Sequence, residues 1–590
     1  MRISKAWATT AIAALALTAA AAPAHAAPNL RSEQTAQITL LSTTDTHGNV
    51  LNWDYFKNAP YKGNEVGVAQ AGTVIERIRA EEGADSVVVV DNGDTIQGTP
   101  LSYYYAKQEP ITETGLDHPM ALAFNTVGYD AVNIGNHEFN YDLPMLGAYS
   151  DDLDAPLLGA NVVDATTGKP LHTPFTVVER KPEANKSVKI GILGLTTPGS
   201  MVWDKGYLEG KVHIEDMVEA AQKWVPQVKA AGADIVVVLS HSGKAGTQSV
   251  AAGAENASDL IAKQVPGIDA IVMGHSHRMV AHEQVTNDVS GEQVALVQPR
   301  YWASSVNELT FDLKKVKGRW DVVATAGTNH PVAGETPLPA LAQAIAQYHA
   351  KAVEYVNRVI ATSVQELPAS ESRYKDTAII DYIQMVQTDT VSKALAGTQY
   401  ASLPIVSIAA PFSRTAVFPQ GDITIRDMAG LYIYDNTLHA STLTGAQLDD
   451  YLEYSAAYFK QVTDGTFDPA RDTNAPVDGR SQPDYNYDIA AGLTYSIDLT
   501  KPVGQRVTIT ANADGSAFDT AQTYVVAVNN YRRSGGGSFP HIASAPLVYD
   551  EGKEIRQLLI DWAVEHQVID PVDFYVENWH LTLGDTVVNP

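Results

Sequence analysis

Five apolar runs along this chain each end in a loop that carries Asp, Asn or His: Gln37–His47, Ser86–Asp94, Val132–Glu138, Ile235–His241 and Ala270–His277. Short, nearly continuous runs of β-branched and leucine residues read as strands buried on both faces. Ala69–Glu82 and Glu215–Ala231 read as helices between them. From Gln37 to about Leu338 strands and helices therefore alternate, the pattern of an α/β layered domain.

Pro337-Leu338-Pro339 interrupts this pattern, and the Ala-, Gln-, Lys- and Glu-containing stretch Ala340–Ala361 predicts a helix joining two units. From Pro368 the pattern restarts, with a helix predicted over Asp376–Leu395 and strands over Pro404–Ile408, Leu493–Ile497 and Tyr524–Asn529. Loops rich in Gly, Asp and Pro separate them, among them Thr463–Tyr485. The length of 590 residues suits this division, because a single core rarely grows so large.

Arg2 and Lys5, the apolar stretch Ala11–Ala22 and Ala24-His25-Ala26 have the order of a secretory signal and its cleavage site. Residues 1–26 are expected to direct export to a periplasmic or extracellular space, with no membrane anchor. The absence of Cys excludes disulfides, thiolate metal sites and thiol nucleophiles. A formal charge of −27 argues against tracking a polymeric nucleic acid. A small anionic substrate remains compatible, provided that metal ions make one local positive site.

The loop residues supply such a site. Two divalent ions at about 3.5–4 Å need a shared carboxylate, with oxygen and imidazole donors around each. Asp45, His47, Asp94, Asn136, His241, His275 and His277 contain that inventory.

Assembled in order, these residues resemble the bacterial 5′-nucleotidase superfamily over essentially the whole chain beyond the signal. Within it, Thr44–His47 with Trp53–Phe56, Asp91–Pro100, Gly135–Tyr141, Gly274–His277, Met385–Asp389 and Asn529–Arg532 are most similar to the branch acting on 2′,3′-cyclic nucleotides and 3′-nucleotides. The 5′-nucleotidases typically carry Gly-Asn-His-Glu-Phe-Asp, Gly-His-Ser-Gln and Thr-Asn-Leu-Gly-Asn, and this chain departs from all three.

The resemblance implies a calcineurin-like metallophosphatase sandwich over 27–339, a linker helix over 340–367 and a nucleotide-specificity α/β domain over 368–590. It implies one metal on Asp45, His47 and His277, another on Asn136, His241 and His275, and Asp94 between them. The ions belong to the Mn, Zn or Co class. Asp91 is expected to shape its loop. His137 would stabilise the transition state or protonate the leaving group, with Asn140 where the 5′-nucleotidases place a carboxylate beside it. Tyr434 and Tyr531 match the aromatic pair that sandwiches the base. Asn436 is a candidate for the base edge, and Arg414 and Arg532 for phosphate or ribose. The expected activity opens 2′,3′-cyclic nucleotides and dephosphorylates the 3′-nucleotides formed. A 5′-nucleotidase or UDP-sugar hydrolase, or a secreted nucleotide-binding protein without turnover, are the alternatives.

Overall fold

Strand periodicity sorts the apolar side chains of the first domain into three layers. In Val87–Asp91, Val88 and Val90 point to one core, whereas Val87 and Val89 point to another. In Ile235–His241, Ile235, Val237 and Leu239 join Val88 and Val90, and Val236 and Val238 face away. Successive residues of a strand face opposite sides, so an unbroken apolar run is buried on both. The computed structural model describes residues 34–183, 186–245, 253–477 and 480–588, so the expected signal sequence lies outside the described residues.

The central core lies between two six-stranded sheets. One runs Arg319–Pro331, Ser305–Val316, Thr35–Thr43, Val87–Asp91, Ala131–Asn133, Leu157–Leu158; the other runs Met279–Thr286, Gln293–Pro299, Ala270–Met273, Ile235–His241, Lys186–Thr196, Phe175–Glu183. Helices Val68–Glu82 and Pro119–Val127 cover the first sheet, and Met217–Ala230 and Ser258–Gln264 the second. The inner strands of each sheet are parallel, with Thr39 opposite Val87, Val90 opposite Ala131, and Val237 opposite both Ile192 and Ala270. Their carboxyl ends consequently emerge along one edge, where open α/β sheets place ligands.

The connecting helix spans Pro339–Val356 and buries Leu341, Ile345, Ala352 and Val356. It was expected through Ala361, but Val359–Ser363 forms a strand paired with Gly421–Thr424. Sheet pairing of Val359 and of Ala361–Ser363 overrides the helical propensity of the preceding sequence. The second domain centres on a five-stranded sheet in the order Ile489–Ala491, Ile405–Ala409, Thr523–Asn529, Thr437–Thr444, Leu547–Glu554, with helix Ala378–Leu395 against it. Among the described residues no helix is long and apolar enough to cross a membrane.

A polar knot joins the domains. Asp435 accepts from Gln97 Nε2 (2.9 Å) and the Tyr141 hydroxyl (2.9 Å), and pairs with Arg556 of its own domain. The Arg556 guanidinium lies 4.5 Å from the centre of the Tyr103 ring. Removing one member of a buried ion pair leaves the other uncompensated, at about 3–5 kcal/mol. Asp435→Ala is therefore expected to lower unfolding free energy in urea by about 3 kcal/mol or more; a loss below about 1 kcal/mol would show that water or another group replaces the carboxylate.

Candidate metal centre

Five of the seven expected metal ligands have left-handed backbones: Asp45 (φ 51°), His47 (46°), Asp94 (57°), His275 (62°) and His277 (54°). Each such residue costs roughly 1–2 kcal/mol, so the surrounding structure has to impose it. Asp45 N donates to Gly93 O (2.8 Å), His47 N to Asp94 O (2.8 Å) and Trp302 N to Asp45 O (2.7 Å). Gly93 is itself at φ 88°, and a Cβ there would lie 2.4 Å from Gly135 N. The loops thus approach each other too closely for a side chain.

Buried Glu138 organises this contact. It accepts from the backbone N–H groups of Asp94 (2.8 Å), Thr95 (2.5 Å), Ile96 (3.2 Å) and Gly135 (2.6 Å). Asp91 takes the loop-shaping place expected of it, accepting from Thr43 Oγ1 (2.7 Å), Gly93 N (2.9 Å) and Thr95 Oγ1 (3.1 Å). Asn92 and Asn133 stitch the two sheet edges together. Asn92 Nδ2 donates to Ser240 O and Val272 O (both 3.1 Å), and Asn133 Nδ2 to Asn92 Oδ1 and Leu195 O (both 3.0 Å).

On this frame the side chains form two groups, Asp45–His47–His277 and Asp94–His241–His275, each with its donor atoms within 4.8 Å of one another. Asp94 Oδ2 lies between them, 2.9 Å from His241 Nε2 and 3.9 Å from His47 Nε2. Asn136 Oδ1 is 2.9 Å from His275 Nδ1.

The outer contacts select which nitrogen of each ring faces inward. His47 Nδ1 donates to Gln97 O (3.0 Å), His241 Nδ1 to Asn92 O (2.7 Å) and His275 Nε2 to the Glu255 carboxylate (2.8 Å). These oxygens only accept, so the opposite nitrogen of each ring is left for the cluster, the arrangement of histidines that hold metal. His47 Nε2 and His277 Nε2 face each other at 3.2 Å, and His241 Nε2 approaches Asp94 without hydrogen-bonding geometry. Nitrogens and oxygens crowded in this way fit divalent cations of the Mn, Zn or Co class and do not discriminate among them.

Histidines balance the charge of the buried carboxylates. Burial works against ionisation of Asp94, but His241 and His137 hold its pKa well below the usual carboxylate range. Burial likewise opposes the charge on His241, and Asp94 and Asp45 lift it to about 10. At His47 burial prevails and the pKa falls to about 4.

His137 adjoins both groups. Its N–H donates to Asp94 Oδ1 (2.8 Å), its ring centre is 5.1 Å from that of His47, and its Nδ1 is 2.6 Å from Asn140 Oδ1. Asn140 Nδ2 donates in turn to Asp204 Oδ1 (2.7 Å). The neighbouring Trp203 stacks on His275, with ring centres 5.4 Å apart.

In the second domain Tyr434 packs edge-on against Phe412 (5.2 Å) and Tyr485 (6.2 Å). Burial raises the pKa of Tyr531, which lies within electrostatic reach of Tyr485 and of Glu255 from the metal edge. Gly536 lets the Tyr531 ring lie against the backbone, since a Cβ there would be 2.5 Å from it. The side chain of Asn436 bonds to Tyr432.

Arg532 does not fill its expected role as a substrate contact. It is buried, and its guanidinium donates to Asp488 (2.8 and 2.9 Å), Asn486, Gly536 O and Tyr485 O. It anchors the loops that carry the tyrosines. Arg414 is held by Asp484 (2.5 and 2.7 Å) and Asn474 (3.0 Å). Sequence reasoning missed Glu138, Asn92, Asn133, Trp203, Asp204, Glu255, Tyr485 and Asp435. Of these, Glu138, Asn92 and Asn133 lie within motifs carrying expected metal ligands.

Comparison with known proteins agrees with this architecture. The family model for calcineurin-like phosphoesterases matches residues 38–279, and that for the 5′-nucleotidase C-terminal domain matches 358–544. A 2′,3′-cyclic-nucleotide 2′-phosphodiesterase/3′-nucleotidase of Haemophilus influenzae is 32% identical over 567 residues, covering 89% of this chain and 84% of that protein. The trifunctional nucleotide phosphoesterase protein YfkN of Bacillus subtilis is 32% identical over 586 residues. That match covers 92% of this chain, which spans 39% of the longer relative. The crystal structure of a 5′-nucleotidase precursor from Thermus thermophilus shares the fold, with a TM-score of 0.62, 23% identity and coverage of 92% of this chain and 99% of that one.

Glu138→Ala leaves four loop N–H groups without their acceptor, each at roughly 1–3 kcal/mol. It is expected to destabilise the protein by about 3 kcal/mol or more in urea unfolding. A loss under about 1 kcal/mol would show that the loops hold their shape without the carboxylate.

Proposed function

This chain belongs to the 2′,3′-cyclic-nucleotide 2′-phosphodiesterase/3′-nucleotidase family, and from that premise we propose that it opens 2′,3′-cyclic nucleotides to 3′-nucleotides and dephosphorylates these to nucleosides. The observation that carries the reading is the inward-facing nitrogens of His47, His241 and His275, each selected by an acceptor behind the ring. Asp45, His47 and His277 would hold one divalent ion, and Asn136, His241 and His275 the other, with Asp94 shared. Such ions supply positive charge against the phosphoryl oxygens and lower the pKa of water toward about 7.

The protein's own groups do the rest. As the imidazolium, His137 keeps its Nδ1 proton on Asn140 Oδ1 and gives its Nε2 proton to the departing ribose oxygen, first at the 2′ position of the cyclic diester and then, reprotonated by the proton released from the attacking water, at the 3′ position. Tyr434 and Tyr531, with Tyr485 beside them, offer faces to the base, a contact that tolerates different bases. Asn436 and Arg414 border that platform. Residues 27–339 carry the chemistry, the helix Pro339–Val356 connects and the residues from Val359 onward select the nucleotide. The signal-like residues 1–26 support a periplasmic or extracellular location.

Phosphate release and product identity should be measured for 2′,3′-cAMP, 3′-AMP, 5′-AMP and UDP-glucose, with Mn²⁺ or Co²⁺ and with chelator. Passage of the cyclic diester through 3′-AMP to adenosine, abolished by chelator, is expected. Faster turnover of 5′-AMP or UDP-glucose would replace the substrate assignment with that of a 5′-nucleotidase or UDP-sugar hydrolase.

Asp94→Ala and His137→Ala should each lower kcat by about 100-fold or more. Metal analysis should find ions lost only in Asp94→Ala. Metal loss in His137→Ala would make His137 a ligand.

A further inference from the structure

His137, Asn140 and Asp204 form a chain of hydrogen bonds leading away from the metal cluster, 2.6 Å at the first link and 2.7 Å at the second. A neutral amide between an imidazole and a carboxylate can be read in one direction only. Once ionised, above about pH 7, the Asp204 carboxylate accepts and cannot donate, so Asn140 must turn Nδ2 toward Asp204 and Oδ1 toward His137. An amide oxygen also only accepts. Nδ1 therefore keeps its proton in both forms of the His137 ring, and Nε2 is the nitrogen that gains the second proton and passes it to the leaving oxygen.

We propose that Asp204 is a positioning residue which, through the Asn140 amide, fixes the tautomer and orientation of His137. This rests on the phosphoester hydrolysis proposed above and adds a third member to its proton-handling group. Asn140 alone cannot do this, because an unconstrained amide presents either end. Here the chain places a carboxylate one amide further back, from a residue 64 positions away in sequence.

Asp204 is poorly explained as a structural filler. It is buried at 4% exposure, its Oδ2 has no hydrogen-bond partner among the described residues, and its side chain's one hydrogen bond is to Asn140. Burying a carboxylate without a cation is costly. Burial, opposed by Asn140 and His137 and aided by Asp94, raises its pKa to about 7. Tyr207, on the following turn, is the other titratable group facing it. Because the folded pKa exceeds the ordinary 3.8, ionised Asp204 makes stability fall as pH rises from about 4 through about 7. A neutral side chain of similar size should leave the fold as stable or more stable at pH 8.

Three variants of the full-length, metal-loaded protein test the proposal: Asp204→Leu, Asp204→Asn, and the exchange Asn140→Asp with Asp204→Asn. The exchange returns a carboxylate to the chain and puts an amide donor behind it. Turnover is measured with whichever of 3′-AMP or 5′-AMP the wild type hydrolyses faster, and with p-nitrophenyl phosphate, whose leaving group needs no proton. Asp204→Leu should lower kcat for the nucleotide about tenfold or more relative to p-nitrophenyl phosphate, with KM little changed. Asp204→Asn should lose less, and the exchange should recover to within about threefold of wild type.

Nitrogen-15 NMR of labelled histidine gives a readout independent of turnover. At pH 8 the neutral form of His137 should be a single Nδ1–H tautomer in wild type and exchange variant, and a mixture in Asp204→Leu. Equal losses on both substrates with an unchanged tautomer, or unchanged turnover in Asp204→Leu, would overturn the proposal. Wild-type turnover of p-nitrophenyl phosphate but neither nucleotide would instead overturn the substrate reading, and the tautomer would still decide the role of Asp204.

Discussion

Asp45 and Asp94 are fully buried carboxylates whose ion-pair partners are histidines. A buried negative charge is stable only if positive charge is brought to it. Histidine can provide this by holding a proton, which Asp94 and Asp45 favour on His241 against its burial. It can also release the proton and leave its nitrogen to a divalent cation. Much of the first domain serves that exchange. Parallel strands bring the carboxyl ends to one edge, Asn92 and Asn133 tie the two sheet edges, and Glu138 gathers four N–H groups of the loops between them. Five ligands held in left-handed backbone then give up conformational ease for direction.

The second domain meets this site through few but specific contacts. Gln97 joins them, since its carbonyl holds His47 and its side chain reaches Asp435, next to Tyr434. Glu255 acts similarly on the opposite side, bonded to His275 and close enough to Tyr485 and Tyr531 to influence them. The groups behind the two clusters are thus also the groups nearest Tyr434, Tyr485 and Tyr531. A substrate held by base and phosphate would touch both domains.

The residues that meet in the two clusters were legible in the sequence because each follows an apolar strand, and strand ends converge wherever parallel strands pair. Residues acting from behind were hidden for the converse reason. Asp204 follows the short helix Ser200–Trp203, beyond a strand ending at Thr196 that carries no expected ligand, and Glu255 lies beyond the strand ending at His241 in an irregular segment. Arg532 was misread because its position beside Tyr531 suggested a substrate cation, whereas Asp488, 44 residues earlier, claims it. The connecting helix was drawn too long because propensity carries no information about the Gly421–Thr424 strand that captures Val359–Ser363. Tyr485 went unnoticed at the end of a Gly- and Asp-rich loop, and only the fold brings it to Tyr434.

The most direct test of the site as a whole is calorimetric titration of chelator-stripped protein with Mn²⁺, followed by thermal unfolding of the product. Two ions per chain, proton release on binding and a raised unfolding temperature are the results predicted for carboxylates awaiting cations. Binding of fewer than one ion per chain, or saturation without any gain in stability, would contradict the account.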